Sequence, residues 1–94
     1  MQFEWDEAKR EENLEKHGID FIDALQVFAD PRRLEGYDVE HSDDEDRWWT
    51  IGACRSRALF VIFTGRDAGN TTRIVSARKA MKHEEDAYYS GENR

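Results

Sequence analysis

The stretch Arg57-Ala58-Leu59-Phe60-Val61-Ile62-Phe63-Thr64 decides the fold. From Ala58 to Phe63 every residue is apolar, so a strand here presents apolar side chains to both faces. Such a strand needs cover on two sides, which places it at the centre of a sheet. Its apolar run is the longest in the chain and far too short to span a membrane. Upstream, Arg47 to Ala53 reads as a second strand, in which Trp48 and Trp49 point to opposite faces. Downstream, Thr72 to Ser76 reads as a third, with Arg73 and Val75 on one side and Ile74 and Ser76 on the other. Leu34 to Val39 is a weaker candidate for an edge strand, broken by Gly36. The short polar links Cys54-Arg55-Ser56 and Gly65 to Thr71 suit antiparallel hairpins.

Helices flank this run. Phe3 and Trp5 alternate with polar neighbours as a short strand-like start. Asp6 can cap a helix to about His17, where Gly18 supplies a left-handed stop. Ala8, Leu14 and the stems of Lys9 and Lys16 are its only apolar contributions, so it reads as a mostly solvated helix lying over something. Asp20 caps a second helix, with Phe21, Ala24, Leu25 and Phe28 at i, i+3, i+4, i+7 and Val27 widening the stripe. Asp30-Pro31 ends it, because the residue before proline avoids the helical region. Ala77 to Tyr89 reads as a third helix, with Ala77, Ala80, Met81, Glu84 and Tyr88 on one face. The expected architecture is α+β: two N-terminal helices and a C-terminal helix packed on an antiparallel β-meander, with an optional N-terminal strand. Residues 1–94 form one domain, with an acidic loop at about 38–46 and a flexible tail at 90–94.

Charge is segregated along the chain. The formal net charge is -7, from 14 Lys+Arg and 21 Asp+Glu, so non-specific nucleic-acid binding driven by overall charge is disfavoured. Residues 38–46 hold six acids and no base, read as a solvated hairpin loop. Residues 55–82 carry seven bases against one acid, Asp67, and this basic segment coincides with the apolar, structured part of the chain. An aromatic content of 12% argues for a packed core in spite of 37% charged residues. One cysteine, Cys54, excludes an internal disulfide or a cysteine-paired zinc site and fits a reducing, cytoplasmic compartment. The start Met-Gln-Phe-Glu-Trp-Asp lacks the basic and apolar regions of a signal peptide, and no glycine-rich phosphate loop occurs. No cofactor, metal or membrane is implied.

The sequence resembles the BrnT family, the toxins of BrnT/BrnA type II toxin–antitoxin systems. Phe3-Glu4-Trp5-Asp6, Lys9, Asn13, Lys16-His17-Gly18, Phe21, Ala24 and Val27-Phe28-Ala29-Asp30-Pro31 carry the first half of the likeness. Arg47, Ile51-Gly52, Arg57-Ala58-Leu59, Thr64-Gly65-Arg66, Arg73-Ile74-Val75-Ser76-Ala77-Arg78-Lys79-Ala80, Glu84 and Tyr88 carry the second. The resemblance implies a RelE-like fold and a ribonuclease that cuts RNA and halts translation. It also implies a cognate BrnA-like antitoxin that neutralises the toxin, and contact with operator DNA only through that antitoxin. The acidic run is heavier than the family pattern, and Trp48-Trp49 falls where that pattern is loose.

Metal-independent RNA cleavage uses the neighbouring 2′-hydroxyl as nucleophile. It needs a base for that hydroxyl, an acid for the leaving 5′-oxygen, and cations for the pentavalent phosphate. Arg66, Arg73 and Arg78 are the candidate phosphate clamps, because a guanidinium fork holds two oxygens at once. In a meander they can converge at one sheet end or face, with Arg78 opening the last helix beside its backbone N–H groups. Pairing with carboxylates such as Glu84 and Asp67 is the competing role. His17 is the side-chain type that exchanges protons near neutrality, although a histidine at a helix end also caps carbonyls. Lys9 lies about two turns earlier, so both can face the sheet. Lys9, His17, Arg66 and Arg78 are therefore the catalytic candidates, and Arg73, Trp48 and Tyr88 the substrate-binding ones. Trp48 can stack a base or anchor the antitoxin. The alternative function is a catalytically weak scaffold that serves as partner or corepressor of a DNA-binding antitoxin.

Overall fold

A computed structural model describes residues 1–91. In chain order the elements are β1 (Gln2–Glu4), α1 (Glu7–His17), α2 (Phe21–Phe28), β2 (Leu34–Tyr37), β3 (Trp48–Cys54), β4 (Arg57–Arg66), β5 (Thr71–Lys79) and α3 (Lys82–Ser90). The strands form one sheet in the order β1-β5-β4-β3-β2. β2 to β5 make the expected antiparallel meander with the apolar β4 at its centre. β1 joins the outer side of β5 in parallel, so the sheet is mixed. The architecture is α+β, with α1 and α2 on one face and α3 on the other.

The two faces explain why β4 is apolar throughout. Leu59 and Val61 enter a core with Ile19, Phe21, Ala24, Val27 and Ile74 under α2. Ala58 and Phe60 turn the other way, toward Leu34, Ile51, Ala80 and Tyr88 under α3. Each large side chain fully withdrawn from water contributes about 1.5–3 kcal/mol, so this strand anchors both layers. Trp48 and Trp49 separate as alternation requires. Trp49 stacks on Phe60 at 6.2 Å, while Trp48 stays 37% exposed against the Tyr37 ring.

The helix signals hold for α1 and α2. Asp6 accepts the amides of Ala8 and Lys9, and Gly18 closes α1 at φ 72° with its N–H on Leu14 O. The Asp20 carboxylate accepts the Ile22 amide and both the Nε and Nη2 of Arg10, tying the two helices. Those bonds, first from Arg10 and then from the Ile22 amide, hold the Asp20 carboxyl below its usual range.

Three expectations need correction. The last strand does not stop at Ser76, nor does the last helix start at Ala77. β5 runs to Lys79 because Ser76 to Lys79 pair with Leu59 to Ile62, and α3 begins only at Lys82. The helix-compatible sequence Ala77 to Ala80 yields to that ladder and to complete burial of Ala77. Second, strand alternation fails at Val75. Phe63 pairs with Ile74 and Ile62 with Ser76, so Val75 is an extra, bulged residue, and both Ile74 and Ala77 enter the α2-side core. Third, Gly36 does not break β2. It sits under the Trp49 ring, where a Cβ would meet ring carbons at 2.4 and 2.5 Å.

The acidic stretch does connect an antiparallel pair, but it is tied down. Ser42 Oγ bridges Asp38 O and the Arg47 amide, and Tyr37 OH donates to Asp46 at 2.9 Å. Of the expected flexible tail, Ser90 closes α3 and Gly91 caps it at φ 71°, while 92–94 lie outside the described residues. Cys54 is buried and unpaired, and among the described residues no helix is long and apolar enough to cross a membrane.

Candidate functional site

The site begins where the sheet runs out of partners. β1 covers only Thr71 to Arg73, so past Arg73 the outer side of β5 has no strand beside it among the described residues. α1 occupies this place, and one side chain supplies the missing pairing. The Asn13 Nδ2 donates to Ala77 O at 2.8 Å and to Ile19 O at 2.9 Å, and its Oδ1 accepts the Ala77 amide at 3.1 Å. Its amide acts as a short substitute strand across 64 residues of sequence.

Around that anchor, Lys9, Glu12, Asn13, Lys16 and His17 line a groove against Val75 and Ser76. These α1 positions are i, i+3, i+4, i+7 and i+8, the spacing at which an ordinary surface helix buries apolar residues. Here the stripe facing β5 is polar, with only Asn13 buried and the others solvated along the groove, and Leu14 faces away, 45% exposed. Lys9 and His17 are therefore brought together as their spacing predicted. Lys16, read from sequence only as an apolar stem, joins them. Among the described residues, Lys9, Lys16 and His17 have no ion-pair partner.

The arginines behave differently. Arg78 lies on β5 rather than at a helix N-terminus, because the strand extends past it. Its Nη1 and Nη2 hold the two oxygens of Glu84 at 2.8 and 3.0 Å, and its guanidinium lies 4.2 Å from the Phe60 ring centroid. Burial pushes the Glu84 carboxyl upward, but hydrogen bonds from Arg78 and the Met81 amide outweigh it and keep the group below its usual range. Glu84 is thus an ionised tether between β5 and α3. Arg73 pairs with Glu4 on β1. Arg66 pairs with Glu45 at 3.1 Å, at the opposite end of the β4–β5 ladder. Seven residue steps along β5 separate its partner Thr71 from Arg78, about 23 Å at the usual strand rise. Arg66, Arg73 and Arg78 do not converge on one point.

Trp48 lies near Arg66, along a shallow surface with Glu45, Asp46 and Thr64. Tyr88 is 5% exposed and its hydroxyl donates to the Asp30 carboxylate, which also accepts the Ala53 amide. That placement makes Tyr88 a clamp of α3 onto the α2–β3 region. Ser76 is the residue that sequence reasoning missed most clearly. It lines the Lys9–His17 groove and also a second groove on the α3 side, with Phe60, Ile62, Arg78 and Glu84. The polar stripe of α1 facing β5 was the available signal for the first groove; nothing in the local sequence announced the bulge that opens the second. Among the described residues no cluster of three His, Cys, Asp or Glu is disposed to hold a metal ion.

A family model described as "Ribonuclease toxin, BrnT, of type II toxin-antitoxin system" matches residues 5–84. None of the curated proteins compared matches the chain.

Proposed function

The chain belongs to the BrnT family of ribonuclease toxins of type II toxin–antitoxin systems, and from that premise we propose that it cleaves RNA without a metal in the α1–β5 groove. The observation that carries this reading is the exposed stripe of Lys9, Lys16 and His17 along the groove against β5. These are basic groups without carboxylate partners among the described residues, set against the one part of the sheet edge that β1 leaves uncovered.

In this reading the scissile phosphate sits in the groove between Lys9 and Lys16. Their ammonium groups stabilise the extra charge of the phosphorane. The 2′-oxygen attacks phosphorus and its proton passes to a base. The bond to the 5′-oxygen breaks, and an acid delivers a proton to that oxygen, leaving a 2′,3′-cyclic phosphate and a 5′-hydroxyl. His17 is assigned one of these proton transfers. Arg78, across Ser76, binds a neighbouring phosphate oxygen by an N–H that Glu84 leaves unused. Arg73, Arg66 and Trp48 lie farther along the sheet and are assigned to binding longer RNA. Cleavage in the cytoplasm would inhibit translation. The cognate BrnA-like antitoxin would neutralise the toxin, and operator DNA would be met only through it.

The test is cleavage of a plain RNA by antitoxin-free protein in the presence of a chelator, beside Lys9→Ala and His17→Ala. Wild-type cleavage that falls at least about 100-fold in His17→Ala, with the fold intact by circular dichroism, is expected from loss of a proton-transfer group. Unchanged cleavage in both variants would move the chemistry elsewhere. The scaffold reading draws support from the net charge of -7 and from the ion pairs that occupy Arg66, Arg73 and Arg78. It gains if the folded wild type cuts no RNA, free or ribosome-bound.

A further inference from the structure

We propose that the second groove, on the α3 side of β5, holds the base next to the scissile phosphate and favours guanine. The inference rests on the RNA-cleaving reading above, and its own features are separate from the α1 groove. The floor of this groove is apolar: Phe60 and Ile62 are half-buried, with Trp49 stacked behind Phe60 at an interplanar angle of 15°. Arg78 closes one side, over the Phe60 ring. The turn at Val39–His41 supplies the other wall, through Asp38, Glu40 and His41.

Charge decides which part of a nucleotide enters. The α1 groove presents Lys9, Lys16 and His17 beside one carboxylate, Glu12, whereas the far wall of the second groove presents Asp38 and Glu40, and the Arg78 charge on its near side is paired with Glu84. A backbone phosphate is attracted to the first and repelled by that wall. A base has no such penalty, and a flat aromatic ring suits the Phe60–Ile62 floor. Ser76 lines both grooves, so the two lie on either side of a single residue of β5. One nucleotide can therefore span them, with phosphate on the α1 side and base on the α3 side.

The wall also selects among bases. His41 Nδ1 lies 3.2 and 3.0 Å from the two Asp38 oxygens, which occupies that carboxylate. Glu40 is exposed and, among the described residues, has no hydrogen-bond partner. A carboxylate accepts paired N–H donors, and guanine presents two of them on one edge where uracil presents one. A good bidentate contact of this kind discriminates by about tenfold or more.

Titrating the protein with 3′-GMP and 3′-UMP, observed by NMR at the Ile62 methyls and the Ser76 and Glu40 amides, tests the assignment. It is paired with cleavage of oligoribonucleotides that differ at a single base. The expected result is Ile62 shifts with GMP, binding about tenfold tighter than UMP, and preferred cutting beside guanine. Glu40→Gln, on an exposed turn, should bring the two nucleotides within about threefold. Equal binding of both, or shifts confined to the α1 groove, would overturn the proposal while RNA cleavage itself stands. GMP binding at Ile62 with no cleavage of any RNA would keep this base site and remove the catalytic reading. No nucleotide effect on Ile62 would overturn the base site and leave this face to a protein partner.

Discussion

Replacing Asn13 by alanine should cost the protein about 3–4 kcal/mol, a large part of the 5–15 kcal/mol typical of a small domain. Asn13 is 6% exposed, and its amide makes three hydrogen bonds, two of them to Ala77, which is fully buried. The net contribution of each such bond is about 0.5–1.5 kcal/mol, and a buried backbone group left unpaired costs about 1–3 kcal/mol. Alanine removes all three bonds and leaves the Ala77 N–H and C=O facing a gap. With a urea slope of about 1–3 kcal/mol per molar, the unfolding midpoint should drop by about 1–4 M at unchanged slope. The contrasting variant is Leu14→Ala, one residue along the same helix. Leu14 is apolar but 45% exposed, so its truncation should stay within about 0.5 kcal/mol. Hydrogen exchange at the Ala77 amide should quicken in Asn13→Ala and not in Leu14→Ala. A larger loss from Leu14 than from Asn13 would refute the view that α1 is docked by its polar stripe. RNA cleavage should fall with Asn13→Ala as well, because the same anchor holds Lys9 and His17 over β5.

Gly52→Ala should destabilise by about 1–3 kcal/mol in thermal unfolding, since its Cβ would meet Val27 Cγ1 at 2.8 Å and the Val27 carbonyl at 3.2 Å where α2 crosses β3. The Glu84 carboxyl is held below its ordinary value of 4.5, so its tether is fully stabilising above that pH and is lost as pH falls through the lower, folded value. Melting temperatures of wild type and Glu84→Gln should accordingly differ most above pH 5 and converge in acid, and a pH-independent gap would contradict the ionised tether. RNA affinity should fall with salt at a log–log slope near about -2, from three single-strand phosphate contacts at about 0.7 each, and Lys9→Ala should flatten it by about 0.7.

How much of this was readable in advance follows from which interactions were local. α1 and α2 were legible almost to the residue because Asp6, Gly18 and Asp20 are caps, and caps act within one turn. β4 was legible because two apolar faces on six residues admit few alternatives. The end of β5 was not, since Ser76 to Ala80 suits a helix locally and becomes strand only because Leu59 to Ile62 lie alongside. The parallel pairing of β1 was equally hidden, as three residues carry no periodic signal. For the site, Lys9 and His17 came together because helix spacing is fixed by the backbone. Arg66, Arg73 and Arg78 did not, because strand register and the Val75 bulge set their separation, and neither is written in the arginines themselves.

The charge arrangement gives the site its logic. An excess of seven acids creates a field that repels RNA at long range, so a basic groove here must work by contact rather than by steering. Most arginines add little charge to such a groove, because Arg10, Arg33, Arg55, Arg66 and Arg73 are each held by a carboxylate, and Arg78, tied to Glu84, contributes only an N–H outside that pair. Those pairs place the guanidinium groups in the scaffold: Arg10 joins the helices, Arg73 joins β1 to β5, and Arg78 joins β5 to α3. The lysines and histidine of α1 are left over from this pairing, and Asn13 holds them where an apolar stripe would otherwise fill the space. Polar docking of α1 thus costs hydrophobic burial and leaves in return a solvated basic groove beside an open strand edge. A helix docked by leucines at these positions would be more stable and would have no site.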